Sequence, residues 1–259
     1  MTQLLGELKC LKFQDLWTAA VALHRHYWYE PQRYKRCLKR EYSDKCLHEA
    51  FKSGDQKNLN AMLDLYQLSR NFQIGKPNNN PKPGVLWKKV GSCVKNWNAH
   101  TSLLEKAYGL HAVASDISQN NTNHKVGNGP LTAASKLAWF LKPEDWTLFD
   151  SRANNAIGSH SFMHFYALTE RLDFKPWCEA TRTILQKSEH SSGLFAERIW
   201  DKFLYLCDGG PQRVTDKTIL ILLEDRKIAQ CISKAHETKQ LHDYFSLRLP
   251  LDPQMETLA

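Results

Sequence analysis

The sequence predicts a mainly α-helical protein, and three observations support this class. Apolar residues recur at spacings of three and four through most of the 259 residues, whereas the alternation typical of half-buried strands is scarce. Glycine and proline concentrate between the periodic segments. Apolar side chains make up 42% of the chain, which allows a sizeable core. We therefore expect one helical unit over residues 1–259.

The helices follow one another from the N-terminus. The first keeps its apolar spacing up to Tyr29 and ends before Pro31, where a strongly basic second helix begins. A third helix precedes the segment 75–84, whose prolines and asparagines predict a linker or an exposed loop. Amphipathic stretches account for the remaining helices. Helices are expected over residues 4–29, 31–52, 55–72, 85–96, 101–110, 131–141, 151–160, 162–172, 176–187, 194–207 and 215–245.

Positive charge is concentrated in the first part of the chain. The formal net charge is +8, and residues 1–100 contain 17 Lys and Arg against 8 Asp and Glu. The remaining residues are nearly balanced, with 18 against 19. A basic excess of this kind suits a surface that faces phosphates, and a solvated basic face is the alternative interpretation.

The cysteine pattern and the hydropathy predict a cytoplasmic protein. The seven cysteines are scattered, with no Cys-x-x-Cys pair, which is typical of reduced thiols. The N-terminus lacks the layout of a signal peptide. The most apolar run, residues 218–223, is far shorter than the roughly 18 residues that span a bilayer. We expect no membrane partner and a monomer.

A glycine-rich hairpin before the helix at 131–141 is the most informative segment. Two glycines permit positive φ and let backbone N–H groups approach a ligand closely, and Pro130 suits a first helical position. The following helix has no acidic residue, so its N-terminus would offer free amides to a phosphate. An ordinary turn with a helix start is the alternative. The segment reads Gly127-Asn128-Gly129-Pro130-Leu131-Thr132-Ala133.

Over residues 126–152 the chain resembles the helix-hairpin-helix DNA glycosylase superfamily. The hairpin pattern there is roughly Pro-Gly-hydrophobic-Gly-x-x-Thr-Ala, and an essential aspartate follows about 20 residues later at the end of an apolar run. Asp150 occupies the matching place after Leu148 and Phe149, although position 126 is Val where proline is usual. The resemblance implies a two-lobed helical fold that binds double-stranded DNA. Its lobes would comprise residues 85–172 around the hairpin, and residues 1–74 together with 173–259.

The resemblance also implies roles for individual residues. Asp150 would be catalytic. Bifunctional members carry a lysine nucleophile immediately before the Thr-Ala pair, where this chain has Leu131, which cannot form a Schiff base. Lys136 lies about 140° further round the helix and is a poor substitute. The implied enzyme is monofunctional and leaves an abasic site without nicking the strand. The DNA contacts would come from Lys125, Gly127, Asn128, Gly129, Leu131, Thr132 and Lys136.

The reaction in which Asp150 would take part is the breakage of an N-glycosidic bond. Positive charge develops on the deoxyribose, so a carboxylate near C1′ can stabilise that charge or activate water. The target base must first leave the stack. A helix N-cap without a catalytic role is the alternative for this aspartate. For the whole protein, the alternatives are a non-catalytic hairpin DNA-binding protein and a helical interaction protein without a nucleic-acid role. The base removed, and a role in repair or in phage defence, stay open.

We expect no cofactor and no metal. An iron-sulfur cluster needs four cysteine ligands, which in this superfamily are closely spaced, and the chain lacks such a group. His160 and His164 have the spacing of metal ligands on a helix, but no third ligand accompanies them. A surface or core role is the favoured interpretation for both.

Overall fold

A computed structural model describes residues 13–29, 42–66, 68, 72, 82–98, 100–119, 128–144, 146–186 and 193–207. Within these residues the chain forms ten α-helices, one short 3-10 helix over Gln56–Asn58 and no strand, so the mainly α class is confirmed. The helices are α1 (Phe13–Tyr29), α2 (Asp44–Lys52), α3 (Leu59–Leu65), α4 (Pro83–Lys95), α5 (Leu103–Gln119), α6 (Asn128–Leu141), α7 (Ser151–Ala156), α8 (Phe162–Arg171), α9 (Phe174–Gln186) and α10 (Ala196–Cys207).

Some predicted features fall outside the described residues. They include the helix over 215–245, residues 4–12 of the first predicted helix and 31–41 of the second, most of the segment 75–84, and two hairpin residues, Lys125 and Gly127. Among the helices that are described, none is both long and apolar enough to cross a membrane. The division into two lobes stays a prediction.

Helix α6 lies at the centre of one group of helices. It packs against α2, α4 and α5, and α5 packs in turn against α8. Nearly all side chains from 131 to 140 are buried, including Trp139. A helix that is apolar on all sides must have neighbours on all sides, which explains its central position.

A second group of helices is built on α10. This helix packs along α1 and also contacts α7 and α9. Helix α2 touches both α1 and α6, and therefore connects the two groups. The candidate site lies where α1, α2, α6, α7 and α10 approach one another.

Two helix boundaries differ from the prediction for a local reason. Helix α2 begins at Asp44 and not at residue 31, because Ser43 has extended backbone and its side chain caps the helix. Helix α7 ends at Ala156 and does not reach residue 160. Gly158, two residues later, has a φ of +64°, a left-handed conformation that cannot continue a right-handed helix.

Candidate functional site

The segment between α6 and α7 fixes the position of Asp150. Residues 146–149 are all buried. Ser135 on α6 holds the segment at two points. The Trp146 indole N–H donates to the Ser135 carbonyl at 3.0 Å, and the Phe149 backbone N–H donates to the Ser135 hydroxyl at 2.9 Å. Asp150 is therefore tied to the middle of the central helix.

Asp150 is the N-cap of α7. Its backbone is extended, and its Oδ1 accepts hydrogen bonds from the N–H groups of Arg152, at 3.0 Å, and Ala153, at 2.8 Å. The capping interpretation of this residue is thus correct as a description of its structure. Both bonds use Oδ1, and within the described residues the second oxygen of this half-buried carboxylate makes no hydrogen bond.

The charge of Lys136 on α6 has the strongest attractive effect on this carboxylate. Burial by itself raises the pKa of Asp150, but the Lys136 ammonium and the Ala153 backbone N–H outweigh burial, and the net result is a lowered pKa. Burial also lowers the pKa of Lys136, against the attraction of Asp150. Only 5% of Lys136 is exposed, and its Nζ lies 4.7 Å from the centre of the Tyr66 ring. This lysine, which was predicted as a DNA contact, is buried, and its charge acts on Asp150 from inside the protein.

Helix α10 contributes three further charged side chains from one face. Arg198, Asp201 and Lys202 have the i, i+3 and i+4 spacing that places residues together on a helix, and all three are buried. Together with Asp150 and two residues of other elements, they form what we call the charge cluster. The charge cluster comprises Asp44, Lys136, Asp150, Arg198, Asp201 and Lys202.

Arg198 connects the members of the charge cluster. Its Nη1 pairs with Asp201 within α10, and its Nη2 lies 3.3 Å from Asp44 Oδ2 on α2. The same Nη2 donates to Tyr66 Oη at 3.0 Å, and Tyr66 donates in turn to Asp44 Oδ1 at 2.6 Å. Burial raises the pKa of the Tyr66 phenol well above its usual range, so the phenol remains a donor. This network joins α2, α10 and the end of α3.

Lys202 is the least compensated cation of the charge cluster. Its Nζ lies 4.2 Å from the centre of the Tyr27 ring and 5.9 Å from that of Tyr205. Within the described residues it makes no ion pair within 4.0 Å. Burial, followed by repulsion from Arg198, lowers the pKa of Lys202 to about 8. This amine therefore changes protonation close to neutral pH.

The charge cluster retains unused hydrogen-bonding groups. Among the residues that the structure describes, Arg198 Nε, Asp201 Oδ1 and Nδ1 of the adjacent His24 are buried without a hydrogen-bond partner. Buried polar groups are usually paired, and exceptions of this kind are common at sites that receive water or a ligand. The arrangement can therefore bind a polar group and present an ionised carboxylate to it.

The predicted hairpin residues lie at the start of α6. The helix begins at Asn128, three residues before the predicted start, so Asn128 and Gly129 form its first turn. Leu131 is buried in the core, and Thr132 is half-buried. Any contact between Leu131 and DNA would therefore use its backbone N–H and not its side chain.

Sequence reasoning missed the contribution of α10 and α2. Arg198, Asp201 and Lys202 occur among large apolar residues in an amphipathic stretch, where charged side chains ordinarily face solvent. The available signal was that α10 carries apolar residues on both sides of these charges, at Trp200 and Phe203. A helix of that kind has no fully solvated face.

The paired histidines have a local role. The rings of His160 and His164 lie 5.5 Å apart, and His164 Nδ1 accepts a hydrogen bond from the His160 backbone N–H at 3.3 Å. In the part of the chain that the structure describes, no three His, Cys, Asp or Glu residues are grouped as a metal site.

Comparisons of the chain with protein-family models, with curated proteins and with solved structures found no match.

Proposed function

We propose that this protein is a monofunctional DNA glycosylase in which Asp150 acts on a nucleotide flipped out of double-stranded DNA. One observation supports this most strongly. Asp150 follows the hairpin helix at the spacing typical of these enzymes, and it is an ionised, half-buried carboxylate tied to the middle of α6. A carboxylate that is rigid and charged suits the stabilisation of positive charge on a sugar.

The lowered pKa of Asp150 favours one of the two roles considered for it. A carboxylate with a low pKa is a weak base, so its main effect would be electrostatic. As the bond between C1′ and the base nitrogen breaks, the bonding electrons leave with the base, and Asp150 stabilises the oxocarbenium-like sugar. Water then adds to C1′ and loses a proton to solvent, and the departed base takes up a proton from solvent, which completes the hydrolysis. The product is an abasic site and a free base.

Lys136 offers a complementary charge. A base that leaves with the bonding electrons carries negative charge, which the Lys136 ammonium would offset. We therefore assign Lys136 an electrostatic role beside Asp150. Position 131 supplies no amine for a Schiff base, so the proposed enzyme would not nick the strand.

The first turn of α6 would bind the DNA strand. Backbone N–H groups at a helix N-terminus and the positive end of the helix dipole suit a phosphate. Gly129 keeps side-chain bulk away from the backbone. This turn and Asp150 belong to the same structural unit, because Ser135 joins α6 to the segment before Asp150. A strand bound at the turn would therefore have a fixed relation to the carboxylate.

The alternative is a non-catalytic hairpin DNA-binding protein. The observation that favours it is the capping role of Asp150, which by itself gives the carboxylate a structural purpose. This alternative predicts DNA binding that weakens with salt and leaves no abasic product.

Asp150→Asn separates the two functions. Asparagine keeps the size of the side chain and is also a favoured N-cap, so the fold and the start of α7 should be preserved. Wild type and variant would be incubated with genomic DNAs that carry different natural and damaged bases. An aldehyde-reactive probe then reports abasic sites.

We expect wild-type protein to release a base from at least one of these DNAs. The Asp150→Asn variant should release it at least about 100-fold more slowly. DNA affinity should be retained. Equal rates for the two proteins would refute the role of Asp150. Tight binding without abasic sites on any DNA would favour the non-catalytic alternative. Strand nicking, or a covalent adduct after borohydride reduction, would refute the monofunctional assignment.

A further inference from the structure

A basic groove lies at the opposite end of α6 from the hairpin. It is a cavity of about 770 Å³, with walls formed by the end of α2, one face of α4 and the residues after α6. Helix α6 has 14 residues and is therefore about 20 Å long, which separates the groove from the first turn of this helix. The groove is thus distinct from the proposed glycosylase site.

The charge of the groove is entirely positive in the described lining. Lys52, Lys88, Lys95 and Lys142 line it, and no Asp or Glu does. The first three are exposed and form no ion pair within the described part of the chain. Lys142 is held differently, because its Nζ donates to the backbone carbonyl of Trp97. Three free ammonium groups around one cavity suit a ligand with several negative charges.

Helix α4 alternates small and basic residues along the wall of the groove. Gly84, Lys88, Gly91 and Lys95 have the 4-3-4 spacing that places them on one face. A Cβ added at either glycine would meet nothing within 4 Å, so a larger side chain there would project into open space. The small residues keep the groove open between the lysines, as a chain-like ligand requires.

An aromatic side chain lies among these charges. Trp87 lines the groove and is half-buried, and its ring meets Phe51 edge-on, with centroids 5.3 Å apart at an angle of 69°. Phe51 itself is buried and supports the indole from the core side. A supported, partly exposed indole beside lysines is suited to stack an unpaired base whose phosphates lie on the cations.

We propose that this groove binds an unpaired nucleic-acid strand, with its phosphates on Lys52, Lys88 and Lys95 and a base against Trp87. The charge, the open wall and the aromatic ring fit a strand with exposed bases better than they fit an intact duplex, whose bases are stacked inside. This goes beyond the proposed glycosylase function, because the groove contains no residue of the charge cluster.

The test measures the binding of a fluorescein-labelled oligothymidylate strand by anisotropy over a range of salt concentrations. Lys88→Ala combined with Lys95→Ala should make the negative slope of log affinity against log salt shallower by about 1.4, since each lost phosphate contact accounts for about 0.7. Trp87→Leu should weaken binding about 5-fold to 100-fold, and Trp87→Phe should restore much of the loss. The matched control removes the same charge outside the groove, at Arg171 and Lys175, and should leave binding unchanged.

Three results would overturn the proposal. The control variant could lose as much affinity as the groove variant, which would indicate a general charge effect. Thymidine monophosphate could compete as strongly as the strand, which would assign the groove to a free nucleotide. Duplex DNA could bind through the same lysines without any effect of Trp87→Leu. Circular dichroism of each variant verifies that it is folded.

The groove and the glycosylase proposal can fail separately. The groove variants are expected to release base from duplex DNA, and Asp150→Asn is expected to bind the oligothymidylate strand normally. Strand binding without base release would leave the groove proposal standing and count against the glycosylase. Base release with no strand binding would do the reverse.

Discussion

Replacing Lys202 by methionine should make the protein more stable at neutral pH. The Lys202 side chain is 9% exposed and has its pKa lowered to about 8. An unfolded lysine titrates near 10.4, and a difference of this size corresponds to about 3 kcal/mol against the charged form. The ammonium also makes a favourable contact with the Tyr27 ring, 4.2 Å from its centre, and losing this contact would offset about 1–2 kcal/mol of the gain. We expect a net gain of about 1–2 kcal/mol at pH 7.

The stability difference between wild type and Lys202→Met should depend on pH in a definite direction. Below pH 8 the amine is protonated in both states, so the whole penalty for the buried charge is present. Between about pH 8 and 10.4 the unfolded state binds more protons than the folded state, and wild-type stability therefore rises relative to the variant. The advantage of Lys202→Met should be greatest at or below neutral pH and should decrease as pH rises from about 8 to 10.4.

Urea unfolding of wild type and Lys202→Met at a series of pH values measures this difference directly. The exposed Lys175→Met is the matched control and should change the free energy of unfolding by less than about 0.5 kcal/mol at every pH. A variant that is less stable at pH 7, or a difference that is the same at pH 7 and pH 10, would refute the reasoning. Since unfavourable buried charges are typical of functional sites, we also expect the stabilised variant to release base more slowly.

Arg198→Met should lower the free energy of unfolding by about 3–5 kcal/mol, because it leaves Asp44 and Asp201 buried without their cation; a loss below 1 kcal/mol in urea unfolding would contradict this network. Ser135→Ala should lower the free energy of unfolding by about 1–3 kcal/mol, because it removes the hydroxyl that accepts the Phe149 N–H and holds the segment before Asp150. Base release should slow while DNA affinity is kept. An unchanged abasic-site signal would contradict this positioning role. Asp150 has a lowered pKa, so its charge stabilises the fold above the unfolded carboxyl pKa of about 3.9 and this contribution is lost as pH falls through the folded pKa. The stability difference between wild type and Asp150→Asn should therefore shrink on acidification, and a constant difference would count against an ionised carboxylate.

Local sequence patterns predicted most of the described helices but not all of their limits. The described part of the predicted second helix begins at Asp44, because Ser43 has extended backbone and its side chain caps the helix. Helix α5 continues to Gln119, nine residues beyond the predicted end, since no glycine or proline signal marks its true end. Such limits depend on caps and packing that a periodicity does not contain.

Some features of the candidate site could likewise be predicted from the sequence, and others could not. The distance from the hairpin to Asp150 is a property of the chain, so both features could be singled out from the sequence. The surroundings of Asp150 could not. Lys136 was placed by helix geometry away from the position of a nucleophile, but that geometry does not say what the far side of α6 meets.

The sequence by itself determined the helical class, the apolar central helix and the order of hairpin and aspartate, because each depends on residues close together in the chain. Only the tertiary structure decided which charges are buried together. Arg198 pairs with Asp44, which lies 154 residues away, and helix α10 can bury its cations only because α1 and α2 bring aromatic rings and a carboxylate to them. Burial of a charge depends on such distant partners, and a single helical pattern carries no information about them.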